Sequence, residues 1–204
     1  MVRDSLSARA VLAAYNFLAM VKPRRYALVA YVNNSVGQFV EQLRRDLHPS
    51  LPHMAAHLTV LPPRCLAGTE EEARENLERI CSKVEPFEVS LDEVETFIPV
   101  TPTVFLRVGC EARQLRELHD RLNCRVLATH EEWPYMPHVT IAKLGAEQDA
   151  QKAYLEARRR WARFQGSRCI PVRELTFVRE ESQNYWVDLA GVPLGRSLVS
   201  PTIR

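Results

Sequence analysis

Apolar and polar positions along this chain mark out short strands and helices in succession. The unbroken apolar run from Tyr26 to Val32 predicts a buried strand over 26–32. Val36, Phe39, Val40, Leu43 and Leu47 then recur at helical spacing, which predicts a helix over 35–47. Ser35 with Gln38 three residues on reads as its capping box, and Pro49 and Pro52 end it. A second strand, beginning at His57, is stopped by Pro62 and Pro63. Thr69 with Glu72 predicts a capped helix over 70–83, whose acidic first turn suits the helix dipole. Phe87, Val89, Leu91 and Val94, then Val104, Phe105, Leu106 and Val108, predict two antiparallel strands, with Pro99 and Pro102 in their connection. Leu115, Leu118 and Leu122 predict a helix over 111–122. A strand over 138–143, a helix over 147–164 and a hairpin of 170–178 with 185–189 complete the order. Strands and helices mixed without regular βα alternation predict an α+β fold.

Residues 5–21 read as a helix with apolar positions over much of its surface. A secretory signal is the competing reading. Asn16 interrupts its apolar stretch, and no clean small-x-small cleavage site precedes Lys22. The segment is taken as an extension that packs on the body or mediates self-association; a true start at Met20 is the third alternative.

The chain has 204 residues, 46% hydrophobic and 25% charged, which is enough for a proper core and has no disordered signature. A net charge of +2 argues against a protein that coats nucleic acid. Arginine outnumbers lysine 23 to 4. That suits phosphate recognition but equally reflects a GC-rich genome, and the second explanation is preferred. Five scattered cysteines with no Cys-x-x-Cys fit reduced thiols in a cytoplasm. No apolar run reaches the roughly 18 residues of a membrane span.

Two runs change the picture: His57-Leu58-Thr59-Val60 and His138-Val139-Thr140-Ile141. In a strand, residues two apart share a face, so each run presents an imidazole beside a hydroxyl, with the apolar pair turned into a core. Two His-x-Thr triplets stand where random order gives roughly 0.3. Facing each other, they would offer two proton-transfer groups and two hydroxyl donors around one small anion, a site for phosphoester chemistry. Histidine's ordinary pKa of about 6.5 allows one neutral and one protonated ring near neutrality. The hydroxyls would stabilise charge on the non-bridging oxygens. The sequence holds no His-Glu-x-x-His, no acidic cluster beside either histidine and no Walker-type glycine loop, so neither a metal nor a cofactor is expected.

With their flanks, Ala56-His57-Leu58-Thr59-Val60-Leu61-Pro62-Pro63 and Tyr135-Met136-Pro137-His138-Val139-Thr140-Ile141-Ala142-Lys143, these motifs resemble those of the two-histidine (2H) phosphoesterase superfamily. That superfamily includes 2′-5′ RNA ligase-like proteins and 2′,3′-cyclic phosphodiesterases. The separation of 81 residues, Pro137 before the second histidine and Lys143 five positions after it all look like the family's. The resemblance spans 22 to about 195 and implies a single bilobal domain over 22–204. Two antiparallel sheets with flanking helices would form it, related by a pseudo-two-fold around a central cleft, with 1–21 as a helical extension.

His57, Thr59, His138 and Thr140 are the expected catalytic residues, with His57 taken as acid and His138 as base, although either assignment is open. Lys143, Tyr135 and Arg64 are candidate substrate contacts. Lys143 could instead end a strand in solvent, and Arg64 could be an ordinary loop arginine. Among the aromatic residues that could stack on a base, Tyr135 is preferred over Tyr185, and Trp186 is assigned to the core. The Arg158, Arg159, Arg160 and Arg163 cluster is read as a solvated face. The expected reaction is metal-independent opening of a 2′,3′-cyclic phosphate on an RNA 3′ end or nucleotide, in the cytoplasm. The alternatives are a phosphodiesterase or reversible ligase acting on 2′-5′-linked or cyclic oligonucleotides, and a binding module for RNA ends without turnover.

Overall fold

The computed structural model describes residues 23–48 and 54–195. The helix expected over 5–21, the boundary at 21 and any self-association through that helix lie outside the described residues. The elements follow in the order β1 (Tyr26–Tyr31), α1 (Ser35–Leu47), β2 (His57–Arg64), α2 (Glu70–Cys81), β3 (Phe87–Thr96) and β4 (Thr103–Val108). Next come α3 (Ala112–Leu122), a 3₁₀ turn (Arg125–Leu127), β5 (His138–Lys143), α4 (Glu147–Trp161), β6 (Cys169–Val172), β7 (Glu174–Ser182) and β8 (Tyr185–Pro193).

All eight strands pair antiparallel in the order β6-β3-β4-β5-β2-β1-β7-β8. The arrangement consists of two four-stranded halves, since the central strands β2 and β5 are paired through a single register, Leu58 opposite Val139. The helices contribute to one core on one side of the sheet, where Val36, Val40, Leu77, Leu115, Leu118 and Ala157 join Leu58 and Val139. Packing crosses the seam: α1 lies against β5, and α3 against β2. Each half is thereby braced by a helix that follows a strand of the other.

Leu58, Val60, Val139 and Ile141 are completely buried. Burying a side chain of that size contributes about 1.5–3 kcal/mol. Slipping either strand by one residue would turn these groups to solvent and the histidines into the core, so the hydrophobic pattern itself fixes the register. The motif histidines and threonines stand on the opposite face.

Three local expectations need correction. The cap of α1 is Asn34, whose side chain accepts from the Gly37 amide, rather than Ser35. Asn is at least as good a cap as Ser, and capping from one residue earlier lets Ser35 enter the helix. Gly37 itself is required, because a Cβ there would drive into the Val32 carbonyl where α1 leaves β1. The run read as one strand over 170–178 is two: β6 pairs with β3 in one half and β7 with β1 in the other, and the chain changes halves at Arg173. The capping box of Thr69 and Glu72 forms as expected, although α2 ends at Cys81 and α4 at Trp161. The five cysteines are all free.

Candidate active site

Register places the motif residues. With Leu58 opposite Val139 in antiparallel pairing, Thr59 faces His138 and His57 faces Thr140 across the seam. The outer pairings extend these into two rows. One runs Arg107, His138, Thr59, Val29, and the other Phe105, Thr140, His57, Tyr31. All eight side chains stand on the face opposite the helices, and the four motif groups lie at the centre, half-buried. Reversing one row superposes histidine on histidine and threonine on threonine, which is the pseudo-two-fold seen in side-chain chemistry.

Both imidazoles are held in the same way. His57 Nδ1 lies 2.7 Å from the Ala55 carbonyl oxygen, and His138 Nδ1 lies 2.7 Å from that of Met136. A carbonyl only accepts, so Nδ1 carries the proton in each ring and Nε2 is the nitrogen left for chemistry. The approach to His57 is pinned by α1: the Ala56 amide donates to Glu41 at 2.5 Å, and Arg44 donates to the Met54 carbonyl at 2.9 Å. Before His138, the Pro137 carbonyl accepts from the Val108 amide at 3.3 Å. Phe97 meets the His138 ring edge-on at 5.1 Å and Phe105 lies 5.0 Å from it. Burial lowers the pKa of both histidines, to about 4 for His57, and the nearby charge of Arg44 adds to the effect there. The free site therefore holds two neutral imidazoles at neutral pH.

A cleft of about 1010 Å³ opens beside Thr59 and His138, walled mainly by apolar groups including Phe97, Val100, Trp133, Tyr135 and Met136. Among the described residues its lining includes neither His57 nor Thr140, so the two halves of the motif face differ in the described groups that adjoin them.

The remaining expected contacts fall in different places. Arg64 is buried and fully engaged: it donates to the carbonyls of Pro62 and Leu127, to Asn123 and, at 2.6 Å, to Glu131. It borders the cleft with its guanidinium donors directed to these protein groups. Tyr135 donates its hydroxyl to the Thr59 carbonyl at 2.7 Å, and its ring stacks on His119 at 4.1 Å. His119 Nδ1 donates in turn to the Val60 carbonyl at 2.8 Å. Tyr135 and His119 thus fill the wedge where β2 and β5 part, and hold the motif strand from its open edge. Lys143 is exposed, and an irregularity between Thr140 and Ala142 returns it to the face of Thr140 at the His57 end. Trp186 packs against Ala27, Val29 and Val178 on the active-face side, away from the main core, and Tyr185 is exposed.

Sequence reading missed Arg107 and Tyr31. Arg107, beside His138, is held by Asp92 and Glu95 at 3.3 and 3.1 Å. Tyr31, beside His57, donates to Asp188 at 2.6 Å. A lone arginine in the apolar run 104–108 was the available signal; no local pattern marked Tyr31. Among the described residues, no group of three or more His, Cys, Asp or Glu is arranged to hold a metal ion, and no helix is long and apolar enough to cross a membrane.

Fold and face together define a two-histidine phosphoesterase. The profile of the 2′-5′ RNA ligase superfamily matches residues 32–184, three-quarters of the chain, and the protein belongs to that superfamily. OB1230 of Oceanobacillus iheyensis, a phosphoesterase by name, is 29% identical over 122 residues, 58% of this chain and 70% of that protein. The fold is also that of Escherichia coli LigT in its complex with 3′-AMP, with a TM-score of 0.56 at 17% identity, covering 85% of this chain and 99% of LigT. TT0787 of Thermus thermophilus gives a TM-score of 0.56 at 16% identity, over 83% and 97% of the two chains.

Proposed function

We propose that this phosphoesterase opens 2′,3′-cyclic phosphates on RNA ends or nucleotides without a metal. The observation that carries the reading is the pair of identically held imidazoles, each with Nε2 free, flanking a seam that also presents two hydroxyls. One Nε2 takes a proton from water as the new O–P bond forms. The other gives a proton to the ribose oxygen as its bond to phosphorus breaks, leaving a phosphomonoester. Thr59 and Thr140 donate to the non-bridging oxygens, and Lys143 adds positive charge at the His57 end.

The position of the cleft supports one assignment of roles. A nucleoside seated against Phe97, Tyr135 and Met136 lies on the His138 side, so the departing ribose oxygen faces His138 and water enters beside His57. His138 is then the acid and His57 the base, the reverse of the assignment first made from the sequence. Binding of 3′-AMP by LigT, whose fold this chain shares, is consistent with a nucleotide in this position.

The test is hydrolysis of 2′,3′-cyclic AMP by purified protein in EDTA, beside the His57→Ala/His138→Ala double variant. Turnover that survives chelation and vanishes in the variant is expected. Turnover abolished by EDTA, or retained by the variant, would overturn the mechanism.

A further inference from the structure

The cleft is large for a small-molecule site. At about 1010 Å³ it stands at the upper end of the 300–1,000 Å³ usual for small-molecule sites. Among its residues that the chemistry described so far does not use are Trp133 and Arg116. Trp133 is 62% exposed, an indole left in water on the wall of an apolar cleft, between Glu132 and Pro134. Arg116, exposed on α3, has no hydrogen bond or ion pair among the described residues. The other arginines near the site differ: Arg64 is consumed by Glu131 and Asn123, and Arg107 by Asp92 and Glu95. The charge of Glu131 is met by Arg64, which leaves Glu132 as the opposing carboxylate of the wall.

We propose that Trp133 and Arg116 form a subsite for the nucleotide on the 5′ side of the terminal phosphate, selecting oligonucleotide 3′ ends over free cyclic mononucleotides. The inference rests on the cyclic-phosphate reading above. A flat aromatic surface and an unpaired guanidinium are the two groups that a further nucleotide needs, one for its base and one for the internucleotide phosphate. The cleft is continuous with Thr59 and His138, so the chain entering it remains attached to the reacting phosphate. Stacking discriminates little among bases, and the subsite would read length rather than sequence.

The experiment compares kcat/KM for 2′,3′-cyclic AMP with that for the dinucleotide ApA carrying a terminal 2′,3′-cyclic phosphate. Wild type should prefer the dinucleotide by about 10-fold or more. Trp133→Ala and Arg116→Ala should each remove about 10-fold from the dinucleotide value and leave the mononucleotide value within about twofold. Trp133→Phe should keep most of the preference, and Arg116→Ala should flatten its salt dependence. A second measurement needs no turnover: ApA without a terminal phosphate, titrated into the His57→Ala/His138→Ala protein, should quench tryptophan fluorescence in a manner lost with Trp133→Ala. Equal kcat/KM for the two substrates, or a preference untouched by both alanine variants, would overturn the subsite while leaving the two-histidine mechanism intact. If neither substrate is turned over, the mechanism fails, and the ApA titration alone decides the subsite: no Trp133-dependent quench would overturn it.

Discussion

Lowering the pH should activate this enzyme, to a degree set by the burial of its histidines. The proposed mechanism needs one protonated and one neutral imidazole. For two exposed rings near 6.5, the singly protonated pair would be most abundant around that pH. Here burial brings His57 to about 4 and lowers His138 as well. The kcat/KM profile reports the free enzyme, so its maximum should fall at or below about pH 5. Above pH 7 it should decline about 10-fold per unit, roughly 100-fold between pH 7 and 9. The bound phosphate anion favours the charged imidazole, so the kcat profile should be displaced upward from that of kcat/KM.

The same burial has a stability consequence that must be separated from catalysis. The unfolded chain binds the His57 proton at about 6.5 and the folded chain only near 4, so stability from this group is complete above 6.5 and is lost as pH falls toward 4. The full loss is at most about 3 kcal/mol. Initial rates on 2′,3′-cyclic AMP from pH 4 to 9 at constant ionic strength, with far-ultraviolet circular dichroism and urea unfolding at each pH, would resolve both effects. His57→Asn should flatten the acid limb of the stability curve. A kcat/KM maximum at or above pH 6.5 in folded protein would refute the reasoning.

Other substitutions test the site piece by piece. His57→Ala and His138→Ala should each reduce kcat by about 10²–10⁴-fold with an unchanged circular dichroism spectrum. Arg64→Ala leaves the part-buried Glu131 with only His119 Nε2, at 3.4 Å, beside it and should destabilise by about 3 kcal/mol in urea unfolding; a raised KM with unchanged stability would make Arg64 a phosphate ligand instead. Tyr135→Phe removes the hydrogen bond to the Thr59 carbonyl and keeps the stack on His119, so it should cost about 1 kcal/mol, and more than that would point to a wider collapse of the seam.

What the sequence made legible was local. Leu58 and Thr59, or Val139 and Thr140, declare opposite faces by alternation, and the buried Leu58 and Val139 agree. Thr69 and Glu72 cap α2 because both partners lie within one turn. What escaped notice was set by distant pairing. Arg107 reaches His138 only because β4 pairs with β5, and Tyr31 reaches His57 only because β1 pairs with β2. Arg64 reads as a loop arginine until Asn123, Leu127 and Glu131, at least 59 residues away in sequence, close around it. The break at Arg173 was hidden because both strands it separates are built of the same alternating text.

The pseudo-two-fold poses a chemical problem that its surroundings resolve. Displacement at phosphorus needs a proton acceptor on the side of attack and a donor on the side of departure. Two His-x-Thr units related by a two-fold supply groups at both positions, but as equals. Their backbone restraints are the same, since each Nδ1 is committed to the carbonyl two residues before it. Equal groups cannot have fixed roles unless something outside the motif separates them. The outer strands do so: Arg107 and Phe105 stand in the places that Tyr31 and Val29 occupy in the other half. The cleft does so more strongly, because among the described residues its lining includes His138 and Thr59 but neither His57 nor Thr140. On the proposed reading a nucleoside then has one way to lie, with the leaving oxygen of its phosphate toward His138. In that mechanism the motif would supply the reactive groups, and the residues that differ between the halves would set the direction in which they act.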